Sequence, residues 1–327
     1  MLRLVERPVP DPGPGEVRVK VAVSAVNPTD WKARSGSAGG GLPFDEIVPN
    51  QDGAGMIDAV GQGVDPARIG QRVWLWEAAW ERPNGTAQEA VVLPADQAVE
   101  LPEAASLDLG ASLGIPALTA HRCLTVIEAG PARVGPGSLA GRRVLVAGGA
   151  GAVGHFAIQL ARFAGASVIA TVSSASKAAL ALAAGADHVV NYREAGAEAA
   201  IREYAPSGVD LVVEVAVAAN VGLDVGVLAP GGTVAAYAAT PGEEVALPVR
   251  ELMARNARYQ FVLVYTVPAA AKRQAVVDVG AALAAGALSV GAAAGLSLVR
   301  YPLEQTADAH AAVEAGAVGK VLIDVAV

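Results

Sequence analysis

The stretch from residue 143 to residue 163 constrains the fold of this chain more than any other. Its apolar segment 144–147 predicts a buried strand, and the apolar positions of 155–163 predict a helix. Between them Gly149, Gly151 and Gly154 give the spacing G-x-G-x-x-G. A strand, this glycine turn and a helix form the arrangement that binds the pyrophosphate of a dinucleotide, so we expect a dinucleotide site here.

Each glycine of this turn has a predicted physical role. Gly149 permits the tight turn, Gly151 lets the backbone approach the pyrophosphate, and Gly154 lets the helix lie close to the strand. The first-turn N–H groups, including those of Ala152 and Val153, then face the anion. A purely structural glycine turn is the alternative, because the chain contains 37 glycines.

Composition limits the class of protein. The 327 residues suggest about two domains, and the 53% hydrophobic content is ample for a large core. The formal net charge of −8 argues against a nucleic-acid-binding surface. The single Cys123 excludes a disulfide within the chain. The chain has no long apolar run typical of a membrane span, and its amino end is too charged for a signal peptide. We therefore expect a cytoplasmic enzyme or binding protein.

The order of patterns along the chain predicts an α/β protein with two parts. Residues 1–110 contain short alternating segments such as 17–23, which predict strands of a small barrel or sandwich. Residues 27–36 predict a loop or a single helical turn. Residues 142–240 alternate strands with helices, which predicts a parallel sheet covered on both faces. A strand at 260–265, helices near 269–285 and 303–314, and a last strand at 320–325 follow.

The residues after the second strand of the parallel unit bear on the choice of dinucleotide. An NAD site usually has an acidic residue there for the ribose 2′-hydroxyl. Here Ser173 and Ser174 occupy the position, and Lys177 follows within one turn. Two hydroxyls and a cation suit a 2′-phosphate, which favours NADP(H). The alternative is that a serine only caps the next helix. Tyr192, after the third strand, lies near the same end or is an ordinary half-buried aromatic.

Motifs along nearly the whole chain resemble a known family. They are Asn27–Asp30, Asp52–Gly55, Gly114–Ala120, the 149–154 glycine motif, 164–171, 184–188, 218–221, 228–232 and 319–321. The chain resembles the zinc-independent, ζ-crystallin-like quinone oxidoreductases of the medium-chain dehydrogenase/reductase superfamily. This resemblance implies a GroES-like β-rich substrate domain (1–108 and 245–327) around an inserted Rossmann domain (109–244), and a homodimer or homotetramer.

The resemblance also implies functional residues. The nicotinamide end of NADPH would meet Asn27, Asp30, Thr119, Val264, Tyr265 and Thr266. The phosphate end would meet Ser173, Ser174, Lys177 and Tyr192. Asn220 would lie along the cofactor, and Lys320 is also counted among its contacts.

No zinc ligand set is evident in the sequence. The place where zinc-dependent relatives carry Gly-His-Glu has Gln51-Asp52-Gly53 here. The four histidines are scattered, and we expect each to be a surface or helix-end residue. Metal ligation needs convergent ligands, so we predict no metal.

The absence of a predicted metal bears on the reaction. An electrophilic acceptor, a quinone or an activated alkene, needs only a positioned hydride and a proton. Asn27 would bond the acceptor carbonyl or the nicotinamide amide, Asp30 would orient a partner, and Tyr265 would relay a proton or line the pocket. A turn-capping role for Asn27 and Asp30 is the alternative.

The sequence thus predicts a metal-independent NADPH-dependent quinone reductase. Two other functions remain open. One is an NADPH-dependent enoyl or alkenal double-bond reductase on the same scaffold, and the other is a cofactor-binding protein with little turnover.

Overall fold

The computed structural model describes residues 2–36, 44–240 and 242–325. The strands in these ranges are β1 (Glu16–Val26), β2 (Asp52–Val60), β3 (Arg72–Leu75), β4 (Ala90–Pro94), β5 (Ala98–Glu100), β6 (Arg143–Ala147), β7 (Ser167–Val172), β8 (His188–Asn191), β9 (Val209–Glu214), β10 (Leu228–Ala236), β11 (Arg258–Phe261), β12 (Leu298–Pro302) and β13 (Lys320–Asp324). The helices are α1 (Pro28–Ser35), α2 (Leu107–Leu124), α3 (Ala152–Phe163), α4 (Ala175–Ala183), α5 (Ala197–Tyr204), α6 (Val217–Val227), α7 (Val249–Arg255), α8 (Ala269–Ala284) and α9 (Thr306–Glu314).

The chain divides into two compact units. Unit 1 comprises Met1–Ile115 and Ser297–Val327, and unit 2 comprises Pro116–Leu296. An insertion of one unit into the other agrees with the sequence prediction, but the second boundary lies at 297 instead of 245. The physical reason is that β11 pairs in parallel with β10 and so extends the sheet of unit 2. The segment 245–296 therefore belongs with the parallel sheet.

Unit 1 is built on a β-sheet with the order β12-β13-β1-β2-β3-β5, and β4 also pairs with β1. The alternation of residues along β1 buries Val17, Val19 and Val21, which pack with Ile57 and Leu93. Strand β1 continues beyond this core to Val26 and pairs there with β13, so that Val26 lies opposite Val321. This pairing brings the carboxyl-terminal strand next to the segment that begins at Asn27.

The segment after β1 differs from its prediction. Residues 28–35 form an eight-residue helix, α1, where the sequence predicted a loop or a single turn. Pro28 occupies the first helical position, where its missing N–H costs nothing. The Asp30 carboxylate accepts a hydrogen bond from the Asn27 N–H at 2.6 Å, which is one half of a capping box. Gly36 ends the helix in the left-handed conformation, with φ of 74°.

Unit 2 contains a six-stranded parallel sheet among the described residues, in the order β11-β10-β9-β6-β7-β8. Its strands are nearly continuous runs of valine, leucine, isoleucine and alanine, as expected for strands covered on both faces. The strand order reverses between β6 and β9, the point where ligands bind in sheets of this type. The glycine motif follows β6 and therefore lies at this point.

Two further details differ from the sequence prediction. Strand β11 ends at Phe261, and Val264–Thr266 form a short 3₁₀ turn instead of the end of a strand. The helix predicted at 303–314 begins at Thr306, after a 3₁₀ turn. Helix α2 bends at Gly114. Within the described ranges, no helix is both long enough and apolar enough to cross a membrane.

Candidate active site

The glycine turn after β6 combines a packing function with an open backbone. A Cβ on Gly154 would lie 2.5 Å from the carbonyl oxygen of Gly148, so only glycine lets α3 approach the turn this closely. A Cβ on Gly149 would lie 2.7 Å from the Cβ of Ala170. The left-handed residue of the turn is Gly148, with φ of 67°. It directly follows Ala147, the last residue of β6.

Gly151 has no packing reason to be glycine. It is exposed, and the nearest atom to an added Cβ is the carbonyl oxygen of Gly148 at 3.4 Å, an ordinary contact. Gly151 is also the N-cap of α3, and no side chain caps this helix end. Within the described residues, the backbone bonds include none from the N–H groups of Ala152, Val153 and Gly154. The turn therefore offers unused donors beside a position where a side chain would occupy open space, which suits a bound pyrophosphate.

The next two strands bring polar side chains to the same edge of the sheet. Strands β6, β7 and β8 are parallel, and the Tyr192 N–H donates to the Val172 carbonyl at 3.0 Å. Ser173 and Tyr192 therefore follow adjacent strand ends. Ser174 is the N-cap of α4, and its Oγ accepts from the Lys177 N–H at 3.3 Å. The capping alternative is thus confirmed for Ser174, and it leaves the hydroxyl of Ser173 and the half-buried Lys177 beside the cap.

Asn220, predicted to lie along the cofactor, contacts a buried carboxylate. It lies in the first turn of α6, and its Nδ2 donates to Glu214 Oε1 at 3.0 Å. Glu214 ends β9 and is fully buried, and Asp224 is buried on the same helix as Asn220. Burial and the charge of Glu214 raise the pKa of Asp224 to about 9, so the pair retains a proton at neutral pH. No pattern in the sequence indicates this acid pair, because its members are ten residues apart.

Asn27 of unit 1 lies in a closed network of side chains. Its Nδ2 donates to Asp52 Oδ2 at 2.7 Å, and its Oδ1 accepts from the Lys320 Nζ at 2.6 Å. Asp52 also accepts from the Ile115 N–H, with its two oxygens at 2.9 and 3.0 Å. Asn27, Asp30, Asp52 and Lys320 are at most 5% exposed. The predicted capping role of Asp30 is confirmed, and the side chain of Asn27 bridges two charged groups.

The kink of α2 explains how the backbone reaches this network. Gly114 has a non-helical conformation, and Pro116 follows inside the helix. The kink frees the Ile115 N–H, which Asp52 then accepts. A Cβ on Gly114 would lie 2.0 Å from Asp52 Oδ1, so the carboxylate occupies the space that a side chain would need. Asp52 and Gly114 are in the motifs quoted above, but only the fold shows that they touch.

Burial controls the charges of this network. It raises the pKa of Asp52 to about 6, against the opposing effects of Lys320 and Asn27. It also raises the pKa of Asp30 to about 7, and the nearby Asp52 charge adds to this shift. Burial lowers the pKa of Lys320, whereas the two carboxylates oppose that shift. The network thus combines one buried cation with two acids that ionise close to neutral pH.

Lys320, a predicted cofactor contact, is buried within unit 1. Its side chain is 2% exposed, and its ammonium group bonds the Asn27 amide. Lys320 is the first residue of β13, and this strand pairs with β1 just before Asn27. The strand pairing therefore brings Lys320 next to Asn27. In unit 1, Lys320 is therefore a partner of Asn27.

The remaining predicted residues lie in unit 2. Thr119 is buried on α2, and Val264 and Tyr265 are buried in the 3₁₀ turn. The Lys272 Nζ donates to the Tyr265 carbonyl at 2.8 Å and so ties this turn to α8. Thr266 lines a cavity of about 230 Å³ beside β11. Residues 264–266 thus form one turn within unit 2. The predicted contacts of these residues and of Thr119 with the nicotinamide stay predictions.

A larger cavity, of about 430 Å³, lies at the opposite edge of the parallel sheet. Arg143, Ser167 and His188 line it, and these are the first residues of β6, β7 and β8. The glycine turn follows the other ends of the strands. This cavity therefore lies at the opposite strand ends from the glycine turn.

The histidines do not form a metal site in the described part of the chain. His121 bonds Asp278 at 2.9 Å, His155 bonds the Ser289 carbonyl at 2.7 Å, and His310 bonds Asn50 at 2.9 Å. These three are buried, so none of them is a surface residue, whereas His121 lies in the last turn of α2 and is a helix-end residue as predicted. Each ring is buried because a ring nitrogen has its own hydrogen-bond partner. Among the described residues, no group of three or more histidine, cysteine, aspartate or glutamate side chains is arranged to hold a metal ion.

Comparison with known proteins places this geometry in a family. Residues 13–103 match the family model of the alcohol dehydrogenase GroES-like domain, and residues 152–292 match that of zinc-binding dehydrogenases. Human quinone oxidoreductase is 31% identical over 319 residues, which cover 96% of this chain and 91% of the human protein.

Two solved structures resemble the whole fold. An NAD-dependent alcohol dehydrogenase gives a TM-score of 0.83 at 28% identity, with 98% of this chain and 95% of that chain covered. A mycobacterial protein solved in complex with NADPH gives 0.79 at 31% identity, with coverage of 98% and 94%. The GroES-like and parallel-sheet units, the full-length similarity and the lack of a metal-ligand cluster in the described ranges agree with one another. The chain belongs to the zinc-independent quinone oxidoreductase family of the medium-chain dehydrogenase/reductase superfamily, and it is an oxidoreductase of that superfamily.

Proposed function

We propose that the protein is an NADPH-dependent, metal-independent quinone reductase. One observation carries the choice of NADPH. Ser173 and Ser174 follow strand β7, and Lys177 lies in the next turn, where an NAD site would have a carboxylate. The mycobacterial relative solved with NADPH supports the same choice.

The residues present fit a bound dinucleotide. The N–H groups of Ala152, Val153 and Gly154 would hold the pyrophosphate, and the absent Cβ of Gly151 leaves room for it. The Lys177 ammonium and the Ser173 hydroxyl would hold a 2′-phosphate. When bound, NADPH supplies a hydride, and with one proton it reduces a quinone to a hydroquinone.

Among possible hydride acceptors, a quinone fits a site without convergent metal ligands best. The human relative carries the name quinone oxidoreductase. Alcohol oxidation needs a group that lowers the pKa of the hydroxyl, which a metal ion supplies in many enzymes. The histidines described above are bonded individually to other partners, so they are not convergent ligands for such an ion. A quinone is electrophilic without that help.

The test is the oxidation of NADPH and NADH by the purified protein, side by side, with an ortho-quinone and a chelator present. We expect chelator-resistant turnover with a lower KM for NADPH than for NADH. Lys177→Ala should remove most of this preference, because it deletes the cation near the 2′-phosphate. Lys20→Ala, which removes an exposed lysine of unit 1, is the matched control and should keep it.

Other outcomes would redirect the proposal. Turnover on an α,β-unsaturated carbonyl, with none on the quinone, would show a double-bond reductase. NADPH binding without turnover on either acceptor would indicate a cofactor-binding protein.

The edge of the parallel sheet supports a homodimer. Strand β11 is the outermost strand on its side, and such an edge presents unpaired backbone groups. Phe261 is 63% exposed and Leu263 is 55% exposed beside it. An edge strand with large apolar side chains suits pairing with the same strand of a second copy. In sedimentation, Phe261→Glu should shift the protein toward monomer, whereas Met56→Glu, at an exposed position on β2, should not.

A further inference from the structure

The side-chain amide of Asn27 has only one orientation that satisfies its partners. A carboxylate only accepts hydrogen bonds, and an ammonium group only donates them. Asp52 Oδ2, 2.7 Å away, must therefore face the amide nitrogen, and the Lys320 Nζ, 2.6 Å away, must face the amide oxygen. If the amide were turned over, its oxygen would face the Asp52 carboxylate and its NH₂ group would face the Lys320 ammonium group. Neither pair could form a hydrogen bond. Asp52 and Lys320 thus fix both the plane and the direction of the Asn27 amide.

The two partners are themselves held in place. Asp52 accepts from the Ile115 N–H with both oxygens, and its position depends on the missing Cβ of Gly114. Lys320 lies in β13, which pairs with β1 in the register Val26 to Val321. Its Nζ is 3.9 Å from Asp52 Oδ2, so the two charges balance each other inside the protein. A pair anchored to two strands and a helix kink gives Asn27 a rigid support.

This arrangement determines which hydrogen-bond donor of Asn27 remains for a ligand. Of its two Nδ2 hydrogens, one is bonded to Asp52, and the hydrogen bonds of the described residues include none from the second. We propose that Lys320 and Asp52 are positioning residues that hold Asn27 so that its second amide hydrogen donates to the carbonyl oxygen of a bound quinone. This inference rests on the proposed function. A donor at that oxygen matters because negative charge develops there when the hydride adds to the ring.

The kinetic test separates positioning from stability. Lys320→Met should lower kcat by about 100-fold, as expected when a catalytic donor is displaced by about 1 Å, while the Kd for NADPH changes less than about twofold. Lys320→Arg, which keeps the cation, should recover a large part of kcat. Arg300→Met is the matched control, because Arg300 of β12 also pairs with two carboxylates, Asp108 and Asp324, outside the network. It should leave kcat unchanged.

A double substitution shows whether Lys320 acts through Asn27. In an Asn27→Ala background, Lys320→Met should have no further effect on kcat, because the group that Lys320 positions is already absent. An additional loss as large as in the wild-type background would overturn the proposal. A loss of kcat in Arg300→Met equal to that in Lys320→Met would overturn it as well.

A spectroscopic readout does not depend on turnover. The chain has six asparagines, so selective ¹⁵N-asparagine labelling gives six side-chain amide pairs, and Asn27→Ala identifies the one of interest. In the wild-type protein we expect one Asn27 hydrogen that exchanges slowly, and a second that shifts when ortho-naphthoquinone is added with NADP⁺. No shift of either hydrogen would overturn the proposal, even if Lys320→Met fails to fold. A slow hydrogen that becomes fast in Lys320→Arg would also contradict it.

The same spectra separate the two possible failures. If the wild-type protein does not reduce quinones at all but the Asn27 amide is rigid and shifts with an α,β-unsaturated carbonyl, the proposed substrate is wrong and the positioning role stands. If quinone turnover is fast and Lys320→Met matches the wild-type kcat, the proposed function stands and the positioning role is wrong.

Discussion

The glycine turn of unit 2 and the Asn27 network of unit 1 are opposite kinds of site. The turn leaves backbone donors unused at Ala152, Val153 and Gly154, and its side-chain partners Ser173 and Lys177 follow within about 25 residues. The network around Asn27 is closed, and its members come from four distant segments. The comparison teaches that a site for a large ligand can be open and local in sequence. A site that orients one amide must be assembled from the whole unit.

The largest effect is expected in the closed network. Asp52→Asn keeps the shape of the side chain but leaves Lys320 buried without its nearest counter-charge. Removal of one member of a buried ion pair costs about 3–5 kcal/mol of unfolding free energy. Urea unfolding would measure the change, and the double variant Asp52→Asn with Lys320→Met should recover a large part of it.

The control for that prediction lies on the same strand. Asp58 bonds the Arg18 Nε at 2.8 Å at a partly exposed position of β2. Asp58→Asn should therefore cost less than about 1 kcal/mol. If Asp52→Asn costs no more unfolding free energy than this control, Asp52 does not balance the charge of the buried Lys320.

The second test divides the glycine turn into its packing part and its open part. Gly154→Val should cost about 3 kcal/mol of stability, because its Cβ would lie 2.5 Å from a backbone carbonyl that cannot move cheaply. Gly151→Val should leave stability within about 0.5 kcal/mol, since its Cβ meets no close atom. The same change should raise the Kd for NADPH about tenfold or more, ~1.4 kcal/mol.

Thermal unfolding and a fluorescence titration with NADPH check both variants. If Gly151→Val bound NADPH as tightly as the wild type, the pyrophosphate would not lie against this turn. Equal loss of stability in the two variants would remove the distinction between them.

The third test concerns only the dinucleotide site proposed in unit 2, and it measures the preference for NADPH over NADH. Ser173→Asp places a carboxylate at the end of β7, where it repels a 2′-phosphate and accepts from a 2′-hydroxyl. We expect the Kd for NADPH to rise about tenfold and the Kd for NADH to fall, with the unfolding free energy unchanged within about 0.5 kcal/mol. Parallel titrations with both cofactors measure this. An equal weakening of both would mean that Ser173 lies away from the ribose.

The smallest effect concerns the acid pair beside Asn220. The pKa of Asp224 is raised from 3.8 to about 9, so the folded state binds more protons than the unfolded state between about pH 4 and pH 9. Unfolding free energy therefore falls as pH rises through this window. Asp224→Asn has no proton to lose, and its amide can donate to Glu214. It should be about 1 kcal/mol more stable than the wild type at pH 8 and similar to it near pH 4.

Urea unfolding at pH 4, 6 and 8 measures this difference. Asp308→Asn removes an exposed aspartate on α9 and serves as the control, with no expected change in slope. If the difference between Asp224→Asn and the wild type were the same at pH 4 and pH 8, the pair would not take up a proton on folding.

The sequence predicted those parts of the molecule whose physics is local. A glycine turn between an apolar strand and a helix has few alternative structures, so the strand, the turn and the helix were predicted correctly from residues 144–163. The predicted capping by Ser174 was also correct, because a cap depends on residues three apart. The left-handed conformation of Gly148 was not predicted, since backbone dihedral angles within a glycine run leave no trace in composition.

The helix after Asn27 and the assignment of residues 245–296 were wrong for a different reason. Pro28 and Asp30 suit a helix start, but the packing of α1 on α9 decides that it continues for two turns. Segment 245–296 joins unit 2 because β11 finds an open edge on β10. Both outcomes depend on partners that are distant in the sequence.

The sequence by itself therefore determined the parallel-sheet unit, its glycine turn and the lack of an acidic residue after β7, because each is set by residues within one helical turn or one strand. Only the tertiary structure decided the environment of Asn27. Its partners Asp52 and Lys320 are 25 and 293 residues away, and the pairing of β13 with β1 brings Lys320 within 2.6 Å. A charge buried in a core can be placed only by the fold that buries it, since its stability depends on every group that replaces water around it.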